Sequence, residues 1–217
     1  MNRRIFLGAA GALALQIGWR GAADAAAPAL PASPGSVLGN KPLEEALRNR
    51  QSRREYAPTP LPPEVLSGLL WAAWGVNRPD SGKHTAPSSR NKQEMSVYVA
   101  TASGVFLYDP PSHALVEKGA ADVRAVTGTQ SYVATAPVNL VYVAEVAKAS
   151  GGTDEERLLT AGMDTGFISQ NVYLFCAAMG LATVVRAGFD AAALSKALGL
   201  APGQRPMLAQ CVGYPKA

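Results

Sequence analysis

"TDEERLLTAGMDTGFISQNVYLFCAAMG" spans residues 153–180. Thr153 or Asp154 offers a side-chain oxygen to cap a helix, and three acidic residues, Asp154, Glu155 and Glu156, face the positive end of its dipole. Gly180 can end it. At ~1.5 Å per residue such a helix reaches roughly 40 Å, long for so small a domain. Its apolar residues, among them Leu159, Phe167, Ile168, Val172, Leu174 and Phe175, cover more than one stripe. A helix apolar on several sides is expected in a core or a subunit interface.

Strand and helix signals surround it. "LATVVRAG" (181–188) reads as a strand, "DAAALSKALG" (190–199) as a helix capped by Asp190, and "MLAQCVGY" (207–214) as the last strand. Upstream, "PVNLVYVAE" (137–145) reads as a buried strand. "MSVYVATA" (95–102), "GVFLYD" (104–109) and "HALVEK" (113–118) read as strands, the last two a hairpin, and "AADVRAVTG" (120–128) as a short helix. "PPEVLSGLLWAAWG" (62–75) carries a helical stripe of Val65, Leu66, Leu69, Leu70 and Ala73, and "PLEEALRNR" (42–50) a shorter one. Residues 76–94 read as a long polar loop, a length that is usually functional or disordered. Strand pairs and helices mix without strict alternation, so the class is α+β.

The first 27 residues read as a signal peptide. Arg3 and Arg4 precede Phe6-Leu7 and an apolar, Gly/Ala-rich run, which resembles the twin-arginine export pattern and implies a periplasmic protein. An ordinary secretory signal and a retained anchor stay open as alternatives. Residues 28–40 read as a flexible leader rich in Pro, Ala, Ser and Gly, and 41–217 as one folded domain. The net charge of +4 falls to +2 without Arg3, Arg4, Arg20 and Asp24, because 17 basic and 15 acidic residues remain. No basic field argues for nucleic acid. Cys176 and Cys211 lie in apolar runs and read as buried thiols, although export would permit a disulfide. No Cys/His cluster suggests a metal.

Three stretches carry chemistry. "RNRQSRREY" (48–56) holds Arg48, Arg50, Arg53 and Arg54 with Ser52 among them, and guanidinium forks bind phosphate bidentately. A solvated helix end would look the same. "TAPSSRNKQE" (85–94) offers small hydrogen-bonding groups suited to a planar polar ring, or merely a polar loop. "GLATVVRAGFD" (180–190) runs a strand into Gly188, where backbone can approach a ligand, or where a plain turn can form. The histidines, His84 and His113, build no triad, and His84 reads as a solvated loop residue.

Taken in order, the basic-x-Ser-x-basic segment, "PSSRN", "MDTGFISQNVYLFCAAMGL", "GFD" and the terminal "VGYP" resemble the nitroreductase family of flavin enzymes across nearly all of 41–215. The resemblance implies a central mixed or antiparallel sheet flanked by helices, in an intertwined homodimer with one FMN at each subunit interface. It implies that Arg50, Gln51, Ser52 and Arg54 grip the FMN phosphate and ring edge. Pro87, Ser88, Ser89 and Asn91 would reach the FMN of the partner subunit. Val185, Arg186, Ala187 and Gly188 would lie along the isoalloxazine, with the Ala187 N–H at flavin N5, and Gln130 would fall nearby. The family often has an acidic residue where this chain has Ala187. Many members add two basic residues beyond the last strand, whereas this chain ends Pro215-Lys216-Ala217, so either Lys216 substitutes for one or Arg50 and Arg54 suffice, with Arg90 a further candidate. It is also short between Ala144 and Thr153, where relatives insert helices over the pocket. The implied activity is an FMN-dependent oxidoreductase that passes hydride or electrons through N5 to a small organic acceptor such as a nitroaromatic, quinone or enone. The implied donor is NAD(P)H or an unidentified redox partner. An exported flavin-binding protein without turnover, and an exported binding module without cofactor, are the alternatives.

Overall fold

In the computed structural model, residues 29–31 and 41–217 are described; the expected signal peptide and most of the leader lie outside them. The helices are α1 (Leu43–Asn49), α2 (Pro63–Trp74), α3 (Asp154–Met179) and α4 (Ala191–Leu198). The strands are β1 (Val76–Arg78), β2 (Lys83–His84), β3 (Met95–Thr101), β4 (Gly104–Asp109), β5 (Ala114–Gly119), β6 (Val138–Glu145), β7 (Ala182–Arg186) and β8 (Gln204–Gly213).

Seven of the eight residues of β6 are buried, because the strand is central and covered on both faces. The sheet order is β5-β4-β3-β6-β8-β7, and every neighbouring pair is antiparallel. Alternate residues serve opposite layers. Leu140 and Tyr142, with Val97 and Val99, join the core under α2 and α3. Val141 and Val143, with Tyr98 and Ala209, meet Leu194 and Leu198 of α4. The buried Tyr142 Oη donates to Gln210 Oε1 at 2.6 Å, and Gln210 Nε2 donates to Thr183 Oγ1 at 3.0 Å. That chain of bonds links β6, β8 and the edge strand β7 through their side chains.

The long helix forms over 26 residues with a reciprocal cap: Thr153 Oγ1 accepts from the Glu156 N–H, and the Glu156 side chain accepts from the Thr153 N–H. Gly180 ends it at φ 69°, the left-handed conformation that favours glycine.

The sequence reading is corrected at three places. Residues 76–94 are not all loop: β1 and β2 pair as a small hairpin, with Gly82 at φ 60° in its turn. The helix expected over 120–128 is a single 3-10 turn, Arg124–Thr127. His84 is buried, its ring stacked on Trp74 at 4.2 Å and its Nδ1 donating to the Trp74 carbonyl at 2.6 Å. Of the leader, Leu30 packs against the main core and the Pro31 carbonyl accepts from Ser67 Oγ at 2.9 Å.

Candidate active site

Strand β7 is an edge of the sheet. The Thr183 carbonyl accepts from the Arg53 N–H at 2.9 Å, and the Val185 N–H donates to Tyr173 Oη at 3.1 Å. Both groups therefore project off the free edge. In an antiparallel strand, alternate residues direct their backbone groups to the same side. The next outward N–H belongs to Ala187, which is exposed and has no hydrogen-bond acceptor among the described residues. Tyr173 Oη also lies 2.8 Å from Ser52 Oγ, and the Arg50 guanidinium sits 5.3 Å from the Tyr173 ring centroid. Gln51, Arg53, Tyr173 and Thr183 share the wall of a cavity of about 220 Å³. Arg50, Gln51, Ser52 and Val185 are thus brought together, through a tyrosine that the sequence reading assigned no role.

The four arginines separate by partner. Arg48 pairs with Glu44 one turn away on the exposed face of α1, as an ordinary helix residue does. No carboxylate among the described residues lies within ion-pair distance of Arg50, Arg53 or Arg54. Arg54 and Lys216 line a cleft of about 600 Å³ with Tyr56 and Tyr132. The Lys216 N–H donates to the Glu55 carbonyl at 3.3 Å, which holds the C-terminal lysine beside the arginine segment. Unneutralised cations along one extended segment form an anion-binding edge.

Gly188 follows directly. Its carbonyl accepts from the Thr129 N–H at 2.9 Å, and a Cβ built on it would stand 2.8 Å from Gln130 Nε2. Gln130 thus packs against the exit of β7. The Arg186 side chain is buried and turned the other way, with Nη2 donating to Thr127 Oγ1 at 2.7 Å and Asn139 Oδ1 at 2.8 Å, so only its backbone borders this edge. Period-two alternation is the reason, because Thr183 and Val185 face α3 while Val184 and Arg186 face the layer opposite.

The loop from Pro87 to Asn91 lies elsewhere. The Ser89 N–H donates to Asp164 Oδ2 at 2.8 Å, the Ser89 carbonyl accepts from Ser150 Oγ at 3.3 Å, and Ser88 Oγ accepts from the Gln93 N–H at 3.0 Å. Arg90, Asn91 and Gln93 have φ of 52°, 54° and 50°, a cluster of left-handed non-glycine residues. Such strain persists only where the surroundings enforce it. Beneath the loop, Glu94 is 2% exposed and neither of its oxygens has a donor among the described residues. Burial, and then the facing Asp164 carboxyl, raise its pKa to about 7. Asp164 and Tyr173 are nine residues apart on α3, half a turn out of phase and about 13.5 Å along the axis. Within one chain the loop and the arginine segment consequently lie on opposite sides of the helix.

The sequence profile of the nitroreductase family matches residues 47–214. A Methanocaldococcus jannaschii protein named as a nitroreductase is 31% identical over 152 residues, 65% of this chain and 76% of that protein. The chain belongs to the nitroreductase family. A Ralstonia eutropha crystal structure described as a nitroreductase shares the fold at TM-score 0.78 and 39% identity, covering 82% of this chain and 84% of that one. The NADPH:FMN oxidoreductase of Vibrio harveyi, solved with NAD+, aligns at TM-score 0.60 and 22% identity over 81% of this chain and 69% of its own.

Like other nitroreductase-family proteins, the chain is a flavin-dependent oxidoreductase, and its protein groups fit chemistry that the cofactor performs. Burial raises both free thiols, Cys211 to about 11, so neither is a nucleophile at neutral pH. His113 is engaged on both ring nitrogens, by Tyr108 at 2.8 Å and Ser67 at 2.7 Å. Three residues of consequence carried no sequence signal of their role: Tyr173, Glu94 and Asp164 read as ordinary members of a helix and a strand end.

Proposed function

We propose that this nitroreductase-family protein binds FMN along the free edge of β7 and passes hydride or electrons through flavin N5 to a small organic acceptor such as a nitroaromatic, quinone or enone. The observation that carries the reading is the exposed Ala187 N–H, one residue past β7 and without an acceptor among the described residues, together with Arg50, Arg53 and Arg54, which have no carboxylate within ion-pair distance among those residues. Arg50 and Arg54, with Lys216, hold the phosphate by charge-assisted hydrogen bonds. Ser52, anchored on Tyr173, and Gln51 meet the cofactor beside them. The backbone from Val185 to Gly188 lies along the ring, where glycine permits close approach and Gln130 closes the far side. Bound FMN supplies the two-electron chemistry; the chain binds, orients and shields it. NAD(P)H, the class of donor that the V. harveyi protein's name pairs with FMN, or a separate redox protein is the donor.

The site is completed by a second copy. Pro87, Ser88, Ser89 and Asn91 stand on the opposite side of α3 from Arg50 and Ser52, so they serve the partner's FMN in a homodimer. Arg3 and Arg4 direct export of the folded, loaded protein to the periplasm. Replacing both by Lys should retain charge and abolish periplasmic delivery; unchanged delivery in fractionated cells refutes the twin-arginine route.

The cofactor site is tested with Arg50→Ala. FMN affinity should weaken by about 1.5–3 kcal/mol, roughly 10- to 150-fold, while riboflavin, which lacks the phosphate, should lose far less. Equal losses would remove Arg50 from the phosphate. Turnover of the wild-type protein with a quinone or nitroaromatic separates an enzyme from a flavin carrier, and a protein that takes up no flavin refutes both.

A further inference from the structure

Arg186 is 7% exposed, yet its only hydrogen-bond partners among the described residues are neutral: Thr127 Oγ1 and Asn139 Oδ1, both on Nη2. Its Nε and Nη1 are buried without an acceptor among the described residues. No carboxylate among those residues lies within ion-pair distance. Arginine is almost never buried unpaired, because stripping water from a charge is costly. The charge is also felt nearby. Burial dominates and raises both Tyr56 and Cys211, and the Arg186 cation pulls against it at each.

The position of this charge is what gives it meaning. Arg186 is the residue immediately before Ala187, about 3.8 Å away along the chain. Its Nε lies 2.4 Å from the point where a Cβ on Gly128 would stand, and Gln130 Oε1 lies 2.9 Å from the same point. Gly128 is therefore the residue that lets the guanidinium and Gln130 pack together behind the β7 exit. Gln130 in turn abuts Gly188.

We propose that Arg186 is a positioning residue that supplies a fixed, unneutralised positive charge behind the flavin edge, favouring the reduced, anionic form of the bound cofactor. The inference rests on the flavin reading above. Reduction at neutral pH places negative charge on the ring. A cation already held in a low-dielectric layer lowers the energy of that state without reorganising when the electrons arrive. The Arg186 side chain need not touch the cofactor, and it transfers no proton.

The test is the midpoint potential of the FMN-loaded protein, read against a reference dye for wild type, Arg186→Gln, Arg186→Lys and Asn139→Asp. Arg186→Gln removes the charge and can still bond Thr127 and Asn139. The ratio of reduced to oxidised flavin at a fixed potential should fall about tenfold, equivalent to about 30 mV for a two-electron couple. Arg186→Lys should keep most of the wild-type ratio. Asn139→Asp places a carboxylate on Nη2 with no change in side-chain size, so it should lower the ratio even if Arg186→Gln does not fold. An unchanged ratio in either folded, loaded neutralising variant overturns the proposal. A wild-type protein that takes up no FMN is a different failure, which overturns the flavin reading and this inference with it.

Discussion

Two apolar stripes of α3 lie in opposite surroundings. In the first, Leu159, Met163 and Phe167 recur at four-residue spacing and are 67%, 54% and 49% exposed. In the second, Ile168, Val172, Phe175 and Cys176 are buried under the sheet, none above 2% exposed. Hydropathic period tells which residues gain by leaving water; it does not tell whether they meet their own chain or another. The first stripe faces solvent, and the proposed dimer covers it. The second is core, and beside it Tyr173 ties the arginine segment to β7.

The largest effect should come from charging the buried stripe. Phe175→Glu puts a carboxyl in the main core, replacing a ring whose loss alone is worth about 3–5 kcal/mol. That is a large share of a domain's total stability of about 5–15 kcal/mol, so the variant should not yield a folded chain by circular dichroism. Phe175 is therefore not a seam residue, although the all-round apolar pattern suggests one. Phe167→Glu is the contrasting change. It should fold with nearly wild-type secondary structure, run as a monomer by light scattering, and lose FMN with its partner. A flavin-loaded dimer of the Phe167→Glu variant would place the seam elsewhere. A folded Phe175→Glu protein would show that the two stripes do not differ as described.

Much of this is legible in the sequence alone. The strands from β3 to β8 and all four helices follow from period and caps, because each has several apolar residues at one spacing. The β1–β2 hairpin is not, since Val76–Arg78 and Lys83–His84 offer one apolar residue and no alternation. Burial of His84 depends on stacking against Trp74, ten residues away, which no local pattern encodes. The candidate site is legible where it rests on a glycine or on clustered charge, as at Gly188 and the arginines, whereas Ala187 is picked out only by the family resemblance. It is not legible where a side chain acts across the fold. Glu94 and Asp164 are 70 residues apart, and Tyr173 looks like any helix aromatic. Strand alternation is the neglected signal for Arg186.

The loop over Glu94 sharpens the comparison at the exposed end of α3. The Glu94 carboxyl has a folded-state pKa of about 7, above its ordinary value of 4.5. Between those values the folded chain keeps a proton that the unfolded chain has lost. The unfolded state then binds fewer protons, so stability falls as pH rises from about 4.5 to about 7. Glu94→Gln removes that fall. It should match wild type near pH 4.5 and exceed it at about pH 8 by about 1–3 kcal/mol in denaturant unfolding. Parallel stability profiles for the two proteins would mean that the Glu94 carboxyl titrates normally.

The smallest effect belongs to the buried end, at a single oxygen. Tyr173→Phe keeps the ring under Arg50 and its packing in the core, and removes only Oη. That oxygen accepts from the Val185 N–H and bonds Ser52 Oγ. Val185 is half-buried, so water can replace part of what is lost, and stability should drop by about 0.5–1.5 kcal/mol. FMN affinity should weaken less than in Arg50→Ala, because no charge is removed. Parallel titrations with FMN and riboflavin separate two roles for the hydroxyl. If it acts by holding Ser52 at the phosphate, riboflavin binding should be spared. If it acts by holding the β7 edge that presents Ala187 to the ring, both ligands should weaken alike. Unchanged affinity for both would leave the Arg53–Thr183 bond as sufficient to seat the segment, and would return Tyr173 to the core residue its helix position suggested.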